Sequence, residues 1–213
     1  MKNSRLFLLA GLLAIYNMLI FYRILPSFLF ADDFIQIYEQ RFSTFGELIQ
    51  RVWDSSMLLL FRPVHYIVLA GYYKLFYMNI SLIYVIVFMA HLCASLCVFV
   101  FLSRIFNKTS SAVLGAVFFL TYMGIWEVVG WAAAIYYPLV IIFLLTAFVL
   151  YLDRHYVASS IFFVLAILTH ESSILFVPLL MAYEITMKDK KIDTGLLKDK
   201  GFYLSVSIIF LIF

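Results

Sequence analysis

Charged residues are scarce in this sequence. Asp, Glu, Lys and Arg make up 13% of its 213 residues, whereas 66% are hydrophobic. A soluble domain is nearer half apolar and a quarter charged, so this composition excludes an ordinary water-soluble core. The net charge is only +3, and the basic residues lie in short loops between apolar runs, which excludes the footprint of a nucleic-acid-binding protein. The chain is therefore predicted to be a polytopic membrane protein.

Cysteine is also scarce. Cys93 and Cys97 are the two cysteines, four positions apart in an apolar run, where they read as small buried hydrophobic residues. A structural metal site needs more ligands than this pair supplies. We therefore expect no cofactor, and a divalent metal is not indicated.

Seven apolar runs have the composition of membrane-crossing helices, for which roughly 20 residues are needed. They cover residues 6–30, 82–103, 111–125, 134–152, 156–169, 172–187 and 202 onward. The first is too long for a signal peptide and lacks a small-residue cleavage site, so we expect an uncleaved span. The last stops inside an apolar run, which leads us to expect a C-terminally truncated part of a longer protein.

Residues 31–61 are polar enough to lie outside the membrane. Within them Thr44 and Glu47 form a capping-box pattern that predicts the start of a helix. Its apolar residues fall on one face: Phe45, Leu48, Ile49, Val52 and Trp53. Such a helix is typical of a segment that lies in the membrane interface.

The distribution of basic residues predicts the topology. If residues 62–79 do not cross the membrane, ten of the fifteen basic residues share the cytoplasmic side: Lys2, Arg5, Arg104, Lys108, Arg154, Lys188, Lys190, Lys191, Lys198 and Lys200. If they do cross, eight of these ten move outside, against the positive-inside rule. The first arrangement places the N-terminus in the cytoplasm and makes residues 31–80 an outer loop with interfacial helices.

Polar residues at the ends of the predicted spans then share the outer face. Asp32 and Asp33 end the first span, where they could cap the following helix or act as a base. Neighbours on a helix point about 100° apart, so one of the two would face a given substrate atom. Arg62 precedes Pro63, a residue that suits the first turn of a helix, and its guanidinium could bind a phosphate or snorkel to the headgroups.

Four further candidates lie in the outer segments: His65, Glu127, His170 and Glu171. His170 and Glu171 form a polar turn between two apolar runs, and ionisable residues at such a boundary are candidates for function. Glu127, between two tryptophans, is a weaker candidate, because tryptophans alone indicate an aromatic belt. With His65, these residues could bind an anionic lipid headgroup beside a polar acceptor.

Four stretches carry a resemblance to a known family. They are ADDF at 31–34, FRPVHYIVLAGYYKLFYMNISLIYVIVFMAHLCASLCVFVFLSRIF at 61–106, WEVVGWAAAIYYPLV at 126–140 and ILTHESSILFVPLL at 167–180. In this order they resemble the C-type superfamily of membrane glycosyltransferases, which includes the protein O-mannosyltransferases and the lipid A aminoarabinose transferase. The similarity is nearest to bacterial polyprenyl-phosphate-sugar mannosyltransferase-like proteins.

The resemblance implies an enzyme that moves a sugar from a polyprenyl-phosphate carrier to a lipid, glycan or protein acceptor on the extracytoplasmic face. Asp32 or Asp33 would inherit the role of general base, and Arg62 would meet the lipid phosphate. His170 and Glu171 match a Lys-Glu pair of the family, so His170 is a departure from its pattern. A phosphate leaving group needs little protonation, so one base and a cationic cradle suffice, and the anomeric centre would be inverted.

The sequence thus predicts an all-α, polytopic transmembrane helical bundle with interfacial helices in the first outer loop. We expect one catalytic module over residues 1–213, in the inner membrane of a bacterium, with its site facing outward. The predicted substrate-binding residues are Arg62, His65, Glu127, His170 and Glu171, and the predicted catalytic residues are Asp32 and Asp33. A transporter or flippase for lipid-linked sugars and an inactive truncated membrane protein are the alternatives.

Overall fold

The computed structural model describes residues 2–22, 33, 38, 44–56, 61–76, 79–122, 125–188 and 200–212. Every regular element within these ranges is a helix, so the all-α prediction is confirmed. The described α-helices are α1 (Lys2–Phe21), α2 (Phe45–Ser56), α3 (Pro63–Phe76), α4 (Ile80–Phe106), α5 (Thr109–Thr121), α6 (Ile125–Gly130), α7 (Tyr136–Leu152), α8 (Tyr156–Ile167), α9 (Phe176–Lys188) and α10 (Gly201–Ile212). Two short 3-10 helices, Ala132–Ile135 and Glu171–Leu175, precede α7 and α9.

Within the described residues, two helical stretches are long and apolar enough to cross a membrane. They are α4 and the continuous stretch Ala132–Leu152, which joins the first 3-10 helix to α7. Shorter apolar helical stretches overlap four of the other predicted spans: Gly11–Phe21, Thr109–Thr121, Tyr156–Ile167 and Gly201–Phe210. The predicted span 172–187 contains α9, which carries Glu184. The third predicted span ends at Thr121 rather than at residue 125.

Proline sets the beginning of three helices. Pro63 is the first residue of α3, and Pro138 and Pro178 are the third residues of α7 and α9. A first-turn residue has no intrahelical partner for its N–H, so proline is tolerated there and its fixed φ favours the helix. These prolines explain why the predicted spans at 134–152 and 172–187 each open with a 3-10 helix before the α-helix.

The predicted capping box is confirmed. The Glu47 amide donates a hydrogen bond to Thr44 Oγ1 at 3.2 Å, and the Thr44 amide donates to Glu47 Oε2 at 3.4 Å. The pair satisfies two amides that the first turn of a helix would otherwise leave without partners. Helix α2 therefore begins at Phe45.

Polar side chains tie the apolar helices together. Asn17 of α1 donates to the Phe88 carbonyl of α4 at 3.2 Å, and Ser95 of α4 donates to the Ala116 carbonyl of α5 at 3.0 Å. Likewise, Ser159 of α8 donates to the Ala147 carbonyl of α7 at 2.7 Å. Such hydrogen bonds from polar side chains to the backbone of a neighbouring helix stabilise the contacts between apolar helices.

The bundle has two chemically different ends. At one end, which we call the site end, α3 and α7 begin and the Glu171–Leu175 helix lies beside them. At the opposite end, α4 and α7 finish side by side, where Arg104 Nη1 and Nη2 lie 3.0 and 3.3 Å from the two carboxylate oxygens of Asp153. The candidate site is therefore separated from this ion pair by the length of α7.

Candidate functional site

Asp33 is buried at the site end and holds the start of a distant helix. Its Oδ2 accepts the Ala132 amide at 3.0 Å and its Oδ1 accepts the Ala133 amide at 2.7 Å, across 99 and 100 residues of sequence. The first amides of a helix lack intrahelical partners, and a carboxylate is favourable there. Asp33 thus caps the Ala132–Ile135 helix. The sequence had suggested that the acidic pair could cap a helix, but the following one rather than a helix about 100 residues further along the chain. Asp32 lies outside the described residues.

His65 holds the same short helix from its other side. Its Nε2–H donates to the Ala133 carbonyl at 2.9 Å, and its ring meets Tyr136 edge-on at 4.9 Å between centroids. Burial lowers the pKa of His65 to about 4, with the positive charge of Arg62 acting in the same direction. His65 is therefore neutral near pH 7, and its ring positions the backbone instead of supplying a charge.

Arg62 and Glu171 form a bidentate ion pair. Arg62 Nε donates to Glu171 Oε2 at 2.9 Å and Nη2 donates to Oε1 at 2.6 Å. The Arg62 side chain is 17% exposed and that of Glu171 is 46% exposed, so Glu171 is the partner that is more accessible to solvent. Burial alone would raise the pKa of Glu171, but the hydrogen bonds and charge of Arg62, helped by His170, outweigh it and lower that pKa. Glu171 is therefore ionised at neutral pH.

His170 caps the second short helix and packs against an aromatic ring. Its Nδ1 accepts the Ser172 amide at 3.2 Å, which places the ring proton of the neutral form on Nε2. The ring stacks on Tyr136 at 4.8 Å with an interplanar angle of 8°. Burial and the charge of Arg62 lower the pKa of His170, against the opposing effect of Glu171. Its Nε2 lies 3.4 Å from Glu171 Oε1, so a neutral His170 directs a hydrogen-bond donor into the site.

Tyr136 lies at the centre of this cluster, although it was not among the predicted site residues. Its ring contacts the rings of His65 and His170, and the Arg62 guanidinium lies 5.2 Å from its centroid. Tyr137 packs against Tyr136 at 4.3 Å, and 40% of it remains exposed. Two adjacent tyrosines before Pro138, where a polar segment meets an apolar run, were the signal that could have identified them.

The remaining predicted residue is Glu127. It belongs to α6, whose last residue, Gly130, accepts a hydrogen bond at its carbonyl from the Tyr84 hydroxyl of α4 at 2.9 Å. The Glu127 side chain lies outside the described part of the structure, so its role stays a prediction. Among the residues that are described, no three His, Cys, Asp or Glu side chains converge in the way a metal ion requires.

The structure brings four of the predicted residues into one cluster. Arg62, His65, His170 and Glu171 come from two segments that also share a backbone hydrogen bond, from the Val64 amide to the Leu168 carbonyl at 3.1 Å. The cluster combines a permanent cation, a neutral imidazole donor and an ionised carboxylate beside an exposed tyrosine. Such groups can bind an oxyanion through the guanidinium and hydroxyl groups through the imidazole and carboxylate.

Comparisons of the chain with protein-family models, with curated proteins and with solved structures gave no match. The likeness to the membrane glycosyltransferases therefore rests on the four sequence stretches given above. The chemistry of the clustered residues is the independent ground for a functional proposal.

Proposed function

We propose that the chain is a multi-pass integral membrane protein. The support is that its apolar helices are largely exposed. Only 33% of the most apolar part of α4 is buried, and only 44% of the most apolar part of Ala132–Leu152. A core helix of a soluble protein would be mostly covered. Large apolar side chains on the shorter helices also point outward, with Leu114 of α5 71% exposed and Val157 of α8 78% exposed. Hydrocarbon chains of a bilayer would cover such surfaces, which are too extensive for a soluble monomer.

The site end faces the outside of the cell in this proposal, and the membrane is the inner membrane of a bacterium. The positive-inside rule assigns the end that carries Arg104, Lys108 and Arg154 to the cytoplasm. Helix α2 would lie on the outer surface, because Phe45, Ile49 and Trp53 form an exposed apolar stripe at four-residue spacing. Helix α3 has 14 residues, about 21 Å, which is too short to cross about 30 Å of hydrocarbon.

The function that the site supports best is transfer of a sugar from a polyprenyl-phosphate carrier to a hydroxyl acceptor. The observation that carries the proposal is the convergence of Arg62, His170 and Glu171 at the site end, across 109 residues of sequence for the ion pair. An arginine fork fits a phosphate as it fits the Glu171 carboxylate, so a lipid phosphate can take the place of that carboxylate. Once released, Glu171 can accept hydrogen bonds from sugar hydroxyls, beside the neutral donor of His170.

The reaction then needs one base. The acceptor oxygen attacks the anomeric carbon from the face opposite the phosphate, and its proton passes to a carboxylate. The bond from the anomeric carbon to the phosphate oxygen breaks, and its electron pair leaves with the phosphate. Arg62 stabilises the negative charge that develops there, which a fixed cation does without reorganisation. The product has the opposite anomeric configuration.

Asp32 is the proposed base. Both oxygens of the neighbouring Asp33 accept backbone amides at the start of the Ala132–Ile135 helix, which favours a structural role for that carboxylate. His65 is bound to the carbonyl of the same helix, so it orients the segment that carries Tyr136. Glu127 is proposed to bind substrate, as the resemblance implies.

The test compares three Asp-to-Asn variants in membranes from cells that carry the complete reading frame. Transfer from labelled polyprenyl-phosphate sugars is measured for Asp32→Asn, Asp33→Asn and the control Asp54→Asn, which alters an exposed carboxylate on α2. We expect Asp32→Asn to reduce transfer by roughly 10²–10⁴-fold while the protein still inserts and binds the donor. The control keeps wild-type transfer.

Two results would overturn the proposal. If the wild-type protein binds labelled donor and moves it across the membrane without consuming it, the site serves transport. If it neither consumes nor binds any lipid-linked sugar, the cluster is a structural element of an inactive protein.

A further inference from the structure

An apolar groove runs between α4 and α7 in the half of the bundle away from the site end. Its volume is about 290 Å³, at the small end of the range for ligand clefts. The apolar residues that line it are Leu96, Val100, Leu145, Val149 and Leu150. Leu145 to Leu150 extends over about 8 Å of helix axis, so the groove takes a segment of hydrocarbon chain rather than a compact polar ligand.

Two polar side chains, Cys97 of α4 and Thr146 of α7, also line the groove, but nearly all of the lining surface is apolar. A ligand in the groove therefore meets a surface suited to hydrocarbon.

The groove ends at charged residues. Arg104 lies one helical turn beyond Val100 on α4, and Asp153 lies about one turn beyond Val149 at the end of α7. The two form the ion pair of the opposite end, yet the Arg104 side chain remains 54% exposed. Arg154, which is also exposed, follows directly in the turn, and Lys108 follows α4. The described charges at this end of the groove are three cations and one anion, so an anionic headgroup is attracted there.

We propose that this groove binds one anionic phospholipid of the cytoplasmic leaflet, with an acyl chain between α4 and α7 and the phosphate at Arg104. The charges at the groove end select the anionic headgroup, and the apolar lining accepts the chain. The inference rests on the proposed membrane placement, with the site end outward, and is independent of the transferase chemistry. The lipid would hold α4 and α7 together.

The test measures lipid retention by the purified full chain in detergent, by native mass spectrometry with phosphatidylglycerol and with phosphatidylcholine of the same acyl chains. We expect one phosphatidylglycerol to be retained in preference to phosphatidylcholine. Arg104→Gln should weaken its binding roughly fivefold, as expected for one basic residue at an anionic headgroup. Lys74→Gln removes an exposed positive charge in the last turn of α3 and should leave retention unchanged.

Two variants separate a binding role of Arg104 from a merely structural one. Asp153→Asn breaks the ion pair as Arg104→Gln does, yet it frees the guanidinium and should strengthen phosphatidylglycerol binding. If both variants weaken binding alike, the ion pair is structural and the headgroup site is refuted. Val100→Phe fills the groove and should abolish the preference while all charges remain. If Val100→Phe retains the lipid, or phosphatidylcholine binds as well as phosphatidylglycerol, the groove holds annular lipid only.

The cysteines provide an independent readout. In single-cysteine proteins, added phosphatidylglycerol should slow alkylation of Cys97, which lines the groove, and should not slow alkylation of the exposed Cys93. Equal rates with and without lipid at Cys97 would refute occupancy of the groove. Neither measurement uses a sugar donor, so a failure here leaves the transferase proposal standing, and a failure of sugar transfer leaves this site standing.

Discussion

Replacement of Asp33 by Asn tests whether this carboxylate is a helix cap. The ionised carboxylate accepts two amides, and a hydrogen bond to a charged group contributes about 1.5–3 kcal/mol. Asn keeps one carbonyl oxygen and turns an NH2 group toward the second amide, which leaves a buried donor without a partner. We expect Asp33→Asn to lower the free energy of unfolding by about 3 kcal/mol, the cost of one lost charged bond and one unsatisfied donor.

Thermal unfolding of the detergent-purified protein, followed by tryptophan fluorescence, measures this loss. For a chain of this size about 3 kcal/mol corresponds to a Tm that is lower by roughly 6–12 °C. Asp54→Asn is the matched control, because an exposed carboxylate on α2 should change stability by about 0.5 kcal/mol or less. If Asp33→Asn instead melts like the wild type and loses sugar transfer, then Asp33 is the base and the capping argument is wrong.

Three further predictions concern charged and titratable pairs. Glu171→Gln should tighten the binding of polyprenyl phosphate about fivefold because it releases Arg62, and a partly exposed ion pair contributes on the order of 1 kcal/mol. Tryptophan quenching measures the affinity, and weaker binding would contradict the replacement of the Glu171 carboxylate by phosphate on Arg62. Glu184 and Lys200 are buried with Lys200 Nζ 3.9 Å from Glu184 Oε1. Glu184→Gln or Lys200→Met alone should lower the free energy of unfolding by about 3–5 kcal/mol, because each leaves a buried charge uncompensated. The double variant should regain most of this loss in thermal unfolding. The pKa of His65 is about 4 in the folded protein, so the unfolded chain binds a proton at a higher pH than the folded protein does. The free energy of unfolding should therefore fall by up to about 3 kcal/mol between pH 6.5 and 4. His65→Gln should remove this part of the pH dependence when unfolding is measured as a function of pH.

The sequence was informative where a pattern is local or periodic. Apolar runs predicted the positions of the helices, and the Thr44–Glu47 pattern predicted the start of α2, because four consecutive residues define a capping box. The alternation of predicted spans, combined with the bias of basic residues, led us to group Arg62 with His170 and Glu171. The contact of Arg62 with Glu171 in the structure agrees with that grouping, because helices that alternate in direction bring the residues at their ends together.

The backbone partners of the site were beyond sequence reasoning. Every residue except proline carries an amide, so nothing in the sequence marks Ala132 and Ala133 as the amides that Asp33 caps. Tyr136 was missed for a related reason, because a tyrosine at the start of an apolar run is also typical of an aromatic belt. Its central position depends on how α3 and α7 pack, which no short pattern encodes.

The helix starts at the site end give a physical reason why this end favours an anion. Helix α3 and the Glu171–Leu175 helix begin beside Arg62, so the positive ends of their backbone dipoles face one region, whereas the Ala132–Ile135 helix begins at the Asp33 carboxylate. Each start is held by a partner from elsewhere: the Leu168 carbonyl for Val64, Asp33 for the Ala132–Ile135 helix and the His170 ring for the Glu171–Leu175 helix. These caps fix the direction of the helix starts, and the N-terminus of an α-helix such as α3 adds about 0.3–1 kcal/mol in favour of a nearby negative charge. In the structure Glu171 supplies that charge through Arg62, and in the proposed complex the lipid phosphate replaces it on the same guanidinium. In the proposed mechanism the closed ion pair is the resting form of the phosphate site, because the Glu171 carboxylate occupies the position on Arg62 that the phosphate would take.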